Sequence, residues 1–389
     1  MRAAGLAGIL PRALEIVEDV RLRGDAALLE LAERFDGARP AFLRVPREAI
    51  EQAEIDGRTL TALRECVRAV RTFHERQRPE DFRYSTYPGV EAERRFVPLD
   101  SVGVYVPGGL APLPSSLVMG AVPAQVAGVG RIAVATPKAD PTILATAREL
   151  GLDEIYCVGG AQAIAALAYG TETVQRVDKI VGPGQSWTTA AKLLVSSVVG
   201  IDLPAGPSEV LIVADESADA KLCAVDLKAQ AEHGPGSESL LVTTSAELAA
   251  AVRELVGPNE QIQIELVESL EQAIERSNDY APEHLELIVA DPEAVLVGIR
   301  HAGAIFLGPY APAVAGDYAV GTNHVLPTGG LAKSCGGLGL EAFLKPLEIV
   351  RIDRQGIERL APIVSTLARV EGLTEHAAAV EARLKAPEQ

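Results

Sequence analysis

Residues 131–170 read RIAVATPKADPTILATARELGLDEIYCVGGAQAIAALAYG, in which two strand-like segments alternate with two helical ones. RIAVAT and EIYCV carry the β-branched and aromatic residues that favour strands, whereas PTILATARELG and AQAIAALAYG are helical in character. Strands that alternate with helices at this spacing indicate βαβ units, whose strands run parallel. The stretch therefore predicts an α/β fold.

The alternation extends on both sides of this stretch and is interrupted once, by DLPAGPSE at residues 202–209. A second series follows, made of VLIVAD, LLVTT, QIQIELV, LELIVAD and AIFLGP. We therefore expect two Rossmann-like parallel-sheet modules. One combines residues 1–104 with 210–340, and the other, residues 105–209, is inserted in it. The first helices, within residues 11–35, are expected to pack against the later module.

Helical patterns return near the C-terminus, where residues 353–371 and 373–385 predict two helices after the strand-like segment LEIVRI. They belong to a small helical appendage, residues 341–389, which we expect to dock on a partner subunit. Residues 309–342 before it are rich in Gly and Pro. A loop of that length within a compact protein is usually functional.

The composition excludes two classes of partner. The formal net charge of −17 opposes binding to nucleic acid or to an anionic membrane, because both attract positively charged protein surfaces. No run reaches the roughly 18 apolar residues of a membrane span, and the four cysteines are dispersed without a CxxC pair. We expect a cytoplasmic protein that binds neither nucleic acid nor membrane.

Two pairs of polar residues are candidates for chemistry. Gln230 and His233 share one face of a predicted helix end, where they either begin a metal site or form a hydrogen-bonded helix terminus. Glu283 and His284 stand where a loop enters a strand. They either divide proton-transfer duties or are both solvated.

Four further residues are candidates for a functional site: Asp317 and His324 in the long loop, and Glu371 and His376 in the C-terminal helices. Asp is an acceptable oxygen ligand for zinc, and His offers a donor or an acceptor. Taken singly, each of the four is equally well a solvated polar residue. His74 lies in a helix rich in Arg and Glu, so we expect its side chain either to be solvated or to cap the helix end.

Three glycine-containing segments follow predicted strands: YVPGG at 105–109, VGGAQAIAALAYG at 158–170 and VGPGQ at 181–185. None has the GxGxxG spacing of a dinucleotide-binding fingerprint. These segments are therefore either helix N-termini that bind an anion or ordinary turns between strand and helix, and their spacing does not distinguish the two.

Seven motifs, YVPGGLAPLPSS, VGGAQAIAALAYGTE, DLPAGPSEVLIVAD, QAEHGP, APEHLEL, AGDYAVGTNHVLPTGG and GLTEH, occur in the order and approximate spacing of histidinol dehydrogenase. The chain resembles this family from about residue 11 to its C-terminal helices. The resemblance implies a four-electron, NAD-dependent oxidation of L-histidinol to L-histidine through L-histidinaldehyde. This reaction is the last step of histidine biosynthesis.

The resemblance also implies a metal site. The family's zinc ligands match Gln230, His233, Asp317 and His376, and the last of these comes from the other subunit of a domain-swapped homodimer. The active site would then be shared between two subunits.

The family's remaining roles fall on other matched residues. His284 is expected to be the general base and Glu283 the residue that activates water. Tyr105, Gln162 and Gln185 match NAD contacts in the inserted module, and Gln185 stands where the family usually has Asn. The matched substrate-binding positions are Ser208, Gln230, His233, His284, Asp317, His324, Glu371 and His376.

Three other functions remain compatible with these residues. The nearest is a dehydrogenase of the same fold that oxidises another polyol or a sulfonated alcohol with NAD. The second is a zinc hydrolase that uses Glu283 to activate metal-bound water. The third is a non-catalytic NAD-binding regulator that keeps only the fold.

Overall fold

The alternating strands and helices form two five-stranded sheets in the computed structural model, and a third, three-stranded sheet accompanies them. The structure describes residues 6, 8–37, 39–108, 111–204, 206–234 and 236–385. These residues divide into two units. The large unit contains the described residues up to Gln77 together with Leu99–Phe343, and the small unit contains Arg78–Pro98 and the described residues from Leu344 onward.

The strands are β1 Phe82–Tyr87, β2 Val90–Pro98, β3 Ser101–Tyr105, β4 Arg131–Thr136, β5 Ile155–Cys157, β6 Lys179–Val181, β7 Gly200–Ile201, β8 Glu209–Ala214, β9 Glu238–Thr243, β10 Ile262–Leu266, β11 His284–Ile288, β12 Ala304–Leu307 and β13 Leu344–Ile352.

The helices are α1 Leu10–Arg23, α2 Asp25–Asp36, α3 Arg47–Glu51, α4 Gly57–Glu75, α5 Pro114–Ala127, α6 Pro141–Glu149, α7 Gly160–Tyr169, α8 Ser186–Val195, α9 Ala220–Ala231, α10 Ala246–Val256, α11 Leu270–Tyr280, α12 Pro292–Leu296, α13 Ala313–Tyr318, α14 Arg354–Val370 and α15 Thr374–Leu384. Short 3-10 turns occur at Leu331–Lys333 and Leu340–Phe343. No helix in the described part of the chain is long and apolar enough to cross a membrane.

The first sheet has the strand order β5-β4-β3-β6-β7, and all of its pairs are parallel. Its central strand β3 is buried along its whole length. Because β3 belongs to this sheet from Ser101 onward, the predicted boundary between residues 104 and 105 falls inside a strand. The parallel α/β architecture itself is confirmed.

The N-terminal helices pack on this first sheet's module, so the expectation that they pack against the later module is wrong. Val17 and Val20 of α1 and Leu28 of α2 share one apolar core with Ile164 and Leu167 of α7. Helical periodicity shows which face of a helix is buried, but it does not identify the element that covers that face.

The second sheet has the order β10-β9-β8-β11-β12 and is also entirely parallel. Strands β8 and β11 are buried along their whole lengths, as expected for central strands covered on both faces. Their register pairs His284 with Val210. The residues that enter these two strands therefore meet at one edge of the sheet.

The sequence had suggested a helical appendage, but the small unit also contains a sheet. Strands β1, β2 and β13 form an antiparallel sheet that accompanies the predicted helices α14 and α15. Ion pairs join β2 to β13, between Arg94 and Glu348 and between Glu93 and Arg351. The hairpin of β1 and β2 escaped prediction because its strands carry many charged residues and little alternation of apolar with polar positions.

Candidate active site

The carboxylate of Glu283 is held at the entrance of the second sheet. Its Oε2 accepts hydrogen bonds from the Ser208 hydroxyl at 2.7 Å and from the Glu209 backbone N–H at 2.9 Å. Both donors precede or begin β8, and Glu283 immediately precedes β11. The parallel pairing of these strands therefore brings together residues about 75 positions apart in the chain.

The imidazole of His284 is buried beside this carboxylate. Its Nδ1–H donates to the Glu209 carbonyl at 3.1 Å, and Nδ1 lies 3.5 Å from Glu283 Oε2. Its Nε2 lies 4.0 Å from Asp317 Oδ1. Burial lowers the pKa of His284, but the negative charges of Glu283 and Asp317 outweigh burial and raise this pKa to about 9. Because Nδ1–H is engaged by a carbonyl, Nε2 is the atom placed to exchange a proton.

His324 also contacts Asp317, through the backbone of that residue. Its Nδ1–H donates to the Asp317 carbonyl at 3.1 Å, and its Nε2 lies 3.3 Å from the Ser116 hydroxyl. Burial lowers the pKa of His324, which favours the neutral ring. The sequence had suggested an irregular loop around Asp317, but this residue lies in the short helix α13, which brings its carboxylate next to His284 of β11.

Gln230 lies in the last turn of α9, and His233 lies in the turn that follows this helix. Gln230 is buried and lines a small cleft together with His284 and Asp317. Its amide Nε2 has no hydrogen-bond partner among the described residues. Rotation of the Gln230 amide by half a turn exchanges its nitrogen and oxygen. After this rotation, the amide oxygen would take the unpartnered place and could bind a cation.

The ring of His233 is held by a hydrogen bond to the backbone. Its Nδ1–H donates to the Gln230 carbonyl at 3.1 Å. This bond leaves the lone pair on Nε2, the usual arrangement when a histidine binds a metal through that nitrogen. Its side chain is exposed at the end of the helix.

Within the described residues, no group of three or more His, Cys, Asp and Glu side chains is arranged to hold a metal ion. The predicted zinc ligands include one amide, Gln230, and one residue expected from a second subunit, His376. A single chain would therefore supply only two ligands of the His, Cys, Asp and Glu types, namely His233 and Asp317. The donor chemistry of Gln230, His233 and Asp317 fits a cation that prefers nitrogen and oxygen ligands.

Two carboxyl groups in the same cleft were missed by sequence reasoning. Asp226 lies four residues before Gln230 in α9, and Glu286 lies two residues after His284 in β11, so each shares a face with a predicted site residue. Burial and the neighbouring charge of Asp226 raise the pKa of Glu286 to about 8. Burial also raises the pKa of Asp226. Helical and strand periodicity were the signals that could have identified both.

The three predicted NAD contacts lie at one edge of the first sheet. Tyr105 ends β3, and its hydroxyl accepts a hydrogen bond from the Gly160 N–H at 3.1 Å. Gln162 is buried in the first turn of α7, and Gln185 is the N-cap residue of α8. The carboxyl ends of parallel strands meet at the same edge, which explains why residues from three separate turns gather here.

Glu371 and His376 lie in the small unit. Glu371 is the C-cap residue of α14, and His376 lies in the first turn of α15. Both side chains are exposed. They are therefore accessible on the surface of this unit.

The prediction that His74 is solvated is wrong. Its side chain is fully buried, and its Nδ1–H donates to the Val70 carbonyl at 2.7 Å. Burial lowers its pKa. Leu63, Cys66, Val70 and His74 form the buried stripe of α4. Their spacing of three and four residues identifies the stripe, although the Arg and Glu neighbours obscured it.

Comparisons with known proteins agree on one family. The histidinol dehydrogenase family model matches residues 6–384. A histidinol dehydrogenase from Methanosarcina mazei is 47% identical and aligns with 98% of this chain and 93% of its own length. One from Thermobifida fusca is 45% identical, with coverages of 99% and 93%.

A solved structure agrees with these sequences. The crystal structure of histidinol dehydrogenase from Elizabethkingia anophelis matches with a TM-score of 0.91 at 35% identity, over 98% of this chain and 96% of that one. The resemblance drawn from the seven motifs is confirmed. The chain belongs to the histidinol dehydrogenase family of oxidoreductases.

Proposed function

We propose that this protein oxidises L-histidinol to L-histidine through L-histidinaldehyde, with two NAD molecules accepting four electrons and with zinc in the active site. Family membership supports a role in histidine biosynthesis. The observation that carries the chemical proposal is the arrangement of Glu283 beside His284, with Ser208 and the Glu209 N–H fixing the carboxylate.

His284 acts as the general base. Its Nε2 accepts the proton of the substrate hydroxyl. Bound NAD would supply the acceptor for the hydride of the carbinol carbon. The Nδ1–H bond to the Glu209 carbonyl holds the ring in the required tautomer. Glu283, 3.5 Å from Nδ1, stabilises the imidazolium that forms. The same base serves the second oxidation after it has released its proton.

Glu283 acts between the two oxidations. L-Histidinaldehyde must gain water before a second hydride can leave, and a carboxylate can remove a proton from the attacking water. Two donors hold Oε2. The proton from water is therefore expected at Oε1.

Gln230, His233 and Asp317 would hold zinc, together with His376 of a second copy in a domain-swapped dimer. The buried amide of Gln230 and the ring orientation of His233 support this assignment. A bound zinc ion would supply an anchor for substrate nitrogen atoms and thereby orient the carbinol carbon. Asp317 raises the pKa of His284 through its charge. If Asp317 bound zinc, its charge would no longer raise the pKa of His284. The lower pKa would leave the His284 ring neutral, and only a neutral ring can accept a proton.

Tyr105, Gln162 and Gln185 would contact NAD. With β3 as the first strand of its sheet, the order β5-β4-β3-β6-β7 is the 3-2-1-4-5 order of a Rossmann-like module. Ligands of such sheets bind outside the carboxyl ends of the strands where the order reverses, which is the boundary between β3 and β6. Tyr105 ends β3, and Gln185 follows β6.

Ser208, His324 and Glu371 would complete the substrate site. The neutral ring of His324 suits a hydrogen bond to an uncharged part of the substrate, whereas the carboxylate of Glu371 suits its ammonium group. The net charge of −17 is compatible with such a cationic substrate.

The decisive experiment supplies the purified protein with L-histidinol and NAD and follows NADH absorbance before and after chelation and zinc restoration. We expect two NADH per histidinol and loss of activity with the chelator. Turnover of another polyol or of a sulfonated alcohol, without turnover of L-histidinol, would contradict the substrate assignment. Product formed without NADH would instead indicate a hydrolase.

A further inference from the structure

We infer that Lys192 and Asp202 are positioning residues that hold residues 181–185 in the conformation needed for cofactor binding. This inference rests on the proposed NAD contacts of Tyr105 and Gln185. It assigns a role to a buried ion pair outside the predicted catalytic and metal-binding residues.

Lys192 and Asp202 hold both polar groups of one glycine. The Lys192 ammonium donates to the Gly182 carbonyl and, at 2.6 Å, to Asp202 Oδ1. Asp202 Oδ2 accepts from the Gly182 N–H at 2.7 Å. The three residues therefore form a closed set of hydrogen bonds centred on Gly182.

Gly182 lies at the place where β3 and β6 separate. Its φ of 121° belongs to the region that favours glycine, and a Cβ at this position would overlap the carbonyl oxygen of Tyr105. The loop is thus pressed against the end of β3. A small shift of Gly182 would move the loop relative to Tyr105.

The helix that follows residues 181–185 contributes to the hydrogen bonds around Gly182. Gln185 is the N-cap residue of α8, and Lys192 belongs to the same helix. The helix that begins next to the proposed cofactor contact therefore also supplies the ammonium that fixes Gly182. Rotating or withdrawing Lys192 would release the Gly182 end of residues 182–185.

A contribution to folding stability does not explain why Lys192 and Asp202 are buried as an ion pair. The side chains of Lys192 and Asp202 are only 3% and 1% exposed. Buried ion pairs often contribute no more to stability than apolar residues of the same size, because desolvation offsets their attraction. Every hydrogen bond described above joins the two charges to each other or to Gly182, which favours a conformational role for the pair.

The chain contains a built-in reporter for the test. Trp187 is its only tryptophan, lies two residues after Gln185, and is 37% exposed. NADH absorbs at the wavelengths at which tryptophan emits. Quenching of Trp187 fluorescence by NADH therefore measures cofactor binding without turnover.

The first experiment compares K192M and D202N with the unaltered protein. We expect the NADH dissociation constant and the KM for NAD to rise about tenfold, the scale expected for losing a charge-assisted hydrogen bond that holds the site. With saturating NAD, kcat and the KM for L-histidinol should change less than about threefold, because the catalytic residues remain in place.

K179M is the matched control. Lys179 is a half-buried lysine of the same sheet, but its ammonium donates to the Ala342 carbonyl and not to residues 181–185. We expect K179M to bind NADH like the unaltered protein. An equal loss of NADH binding in K179M and K192M would overturn the inference, since any buried lysine would then have the same effect.

The double variant K192M/D202L guards against misfolding caused by one unpaired buried charge. Replacing both partners by apolar residues is often nearly neutral for stability, so the variant should keep its cooperative thermal transition but bind NADH weakly. If it binds NADH as tightly as the unaltered protein, the inference is wrong while NAD use stands. If the unaltered protein fails to bind NADH, both the inference and the proposed NAD contacts are wrong.

Discussion

The Ser208 hydroxyl donates a 2.7 Å hydrogen bond to the Glu283 carboxylate, across the junction of two neighbouring parallel strands. This bond, together with the Glu209 N–H, fixes the carboxyl group that we propose activates water. The proposed role of Glu283 in water addition can therefore be tested separately from hydride transfer.

The change E283Q should stop the reaction after the first oxidation. The amide keeps the size of the side chain but cannot take a proton from water, so we expect one NADH per histidinol in place of two and accumulation of the aldehyde. Stopped-flow absorbance and an aldehyde trap measure these quantities. Two NADH per substrate at an unchanged rate would remove Glu283 from the mechanism.

The change H284N should abolish both oxidations. Loss of a general base lowers kcat by about 10²- to 10⁴-fold. NADH should still quench Trp187 fluorescence, because the proposed cofactor contacts lie in the other sheet's module. H301N is the matched control, since His301 lies outside the site and its backbone N–H bonds to Asn278. Substantial activity in H284N would contradict the assignment of the base.

The change Q230A should weaken zinc binding. Removing the buried amide deletes one proposed ligand, so we expect zinc affinity to fall by at least about tenfold. Equilibrium dialysis followed by metal analysis measures the affinity independently of activity. Unchanged zinc affinity in Q230A, with H301N as reference, would exclude Gln230 from the metal site.

Mixing two inactive variants tests the shared site. If His376 acts on the site of a second copy, a dimer of D317A with H376A contains one intact site out of two. Random reassociation of equal amounts should then restore about a quarter of full activity. No recovery after verified subunit exchange would place both residues in the same chain's site, or outside it.

Glu286 should make stability depend on pH. Its pKa in the folded protein, about 8, exceeds its ordinary value of 4.5. The folded state therefore binds this proton more tightly, and the resulting stabilisation is fully present below pH 4.5 and is lost as pH rises through 8.

The change E286Q should remove this contribution. Between pH 5.5 and 8.5, we expect the unfolding free energy of the unaltered protein to fall by at least about 1.4 kcal/mol more than that of E286Q, which corresponds to one pKa unit. Urea unfolding with a chelator present measures both proteins. E260Q, at an exposed glutamate, is the control and should follow the unaltered protein. Parallel pH profiles for E286Q and the unaltered protein would contradict the prediction.

Several features of the fold and site were determined by the sequence alone. Alternating strands and helices identified the two parallel sheets, because burial imposes different periodicities on the two kinds of element. The spacing of Gln230 and His233 placed both at one end of α9, and the position of Glu283 and His284 at the start of β11 was also read correctly. Local geometry sufficed for each of these.

Which distant elements meet follows from the tertiary structure and not from the local sequence. The register of β8 against β11 joins Ser208 to Glu283, and α1 packs on the first sheet's module instead of the second. The pairing of β2 with β13 likewise unites Val90–Pro98 with Leu344–Ile352. Local periodicity records which face of an element is buried. The partner that covers this face is selected by the packing of residues far apart in the chain, which no short stretch of sequence contains.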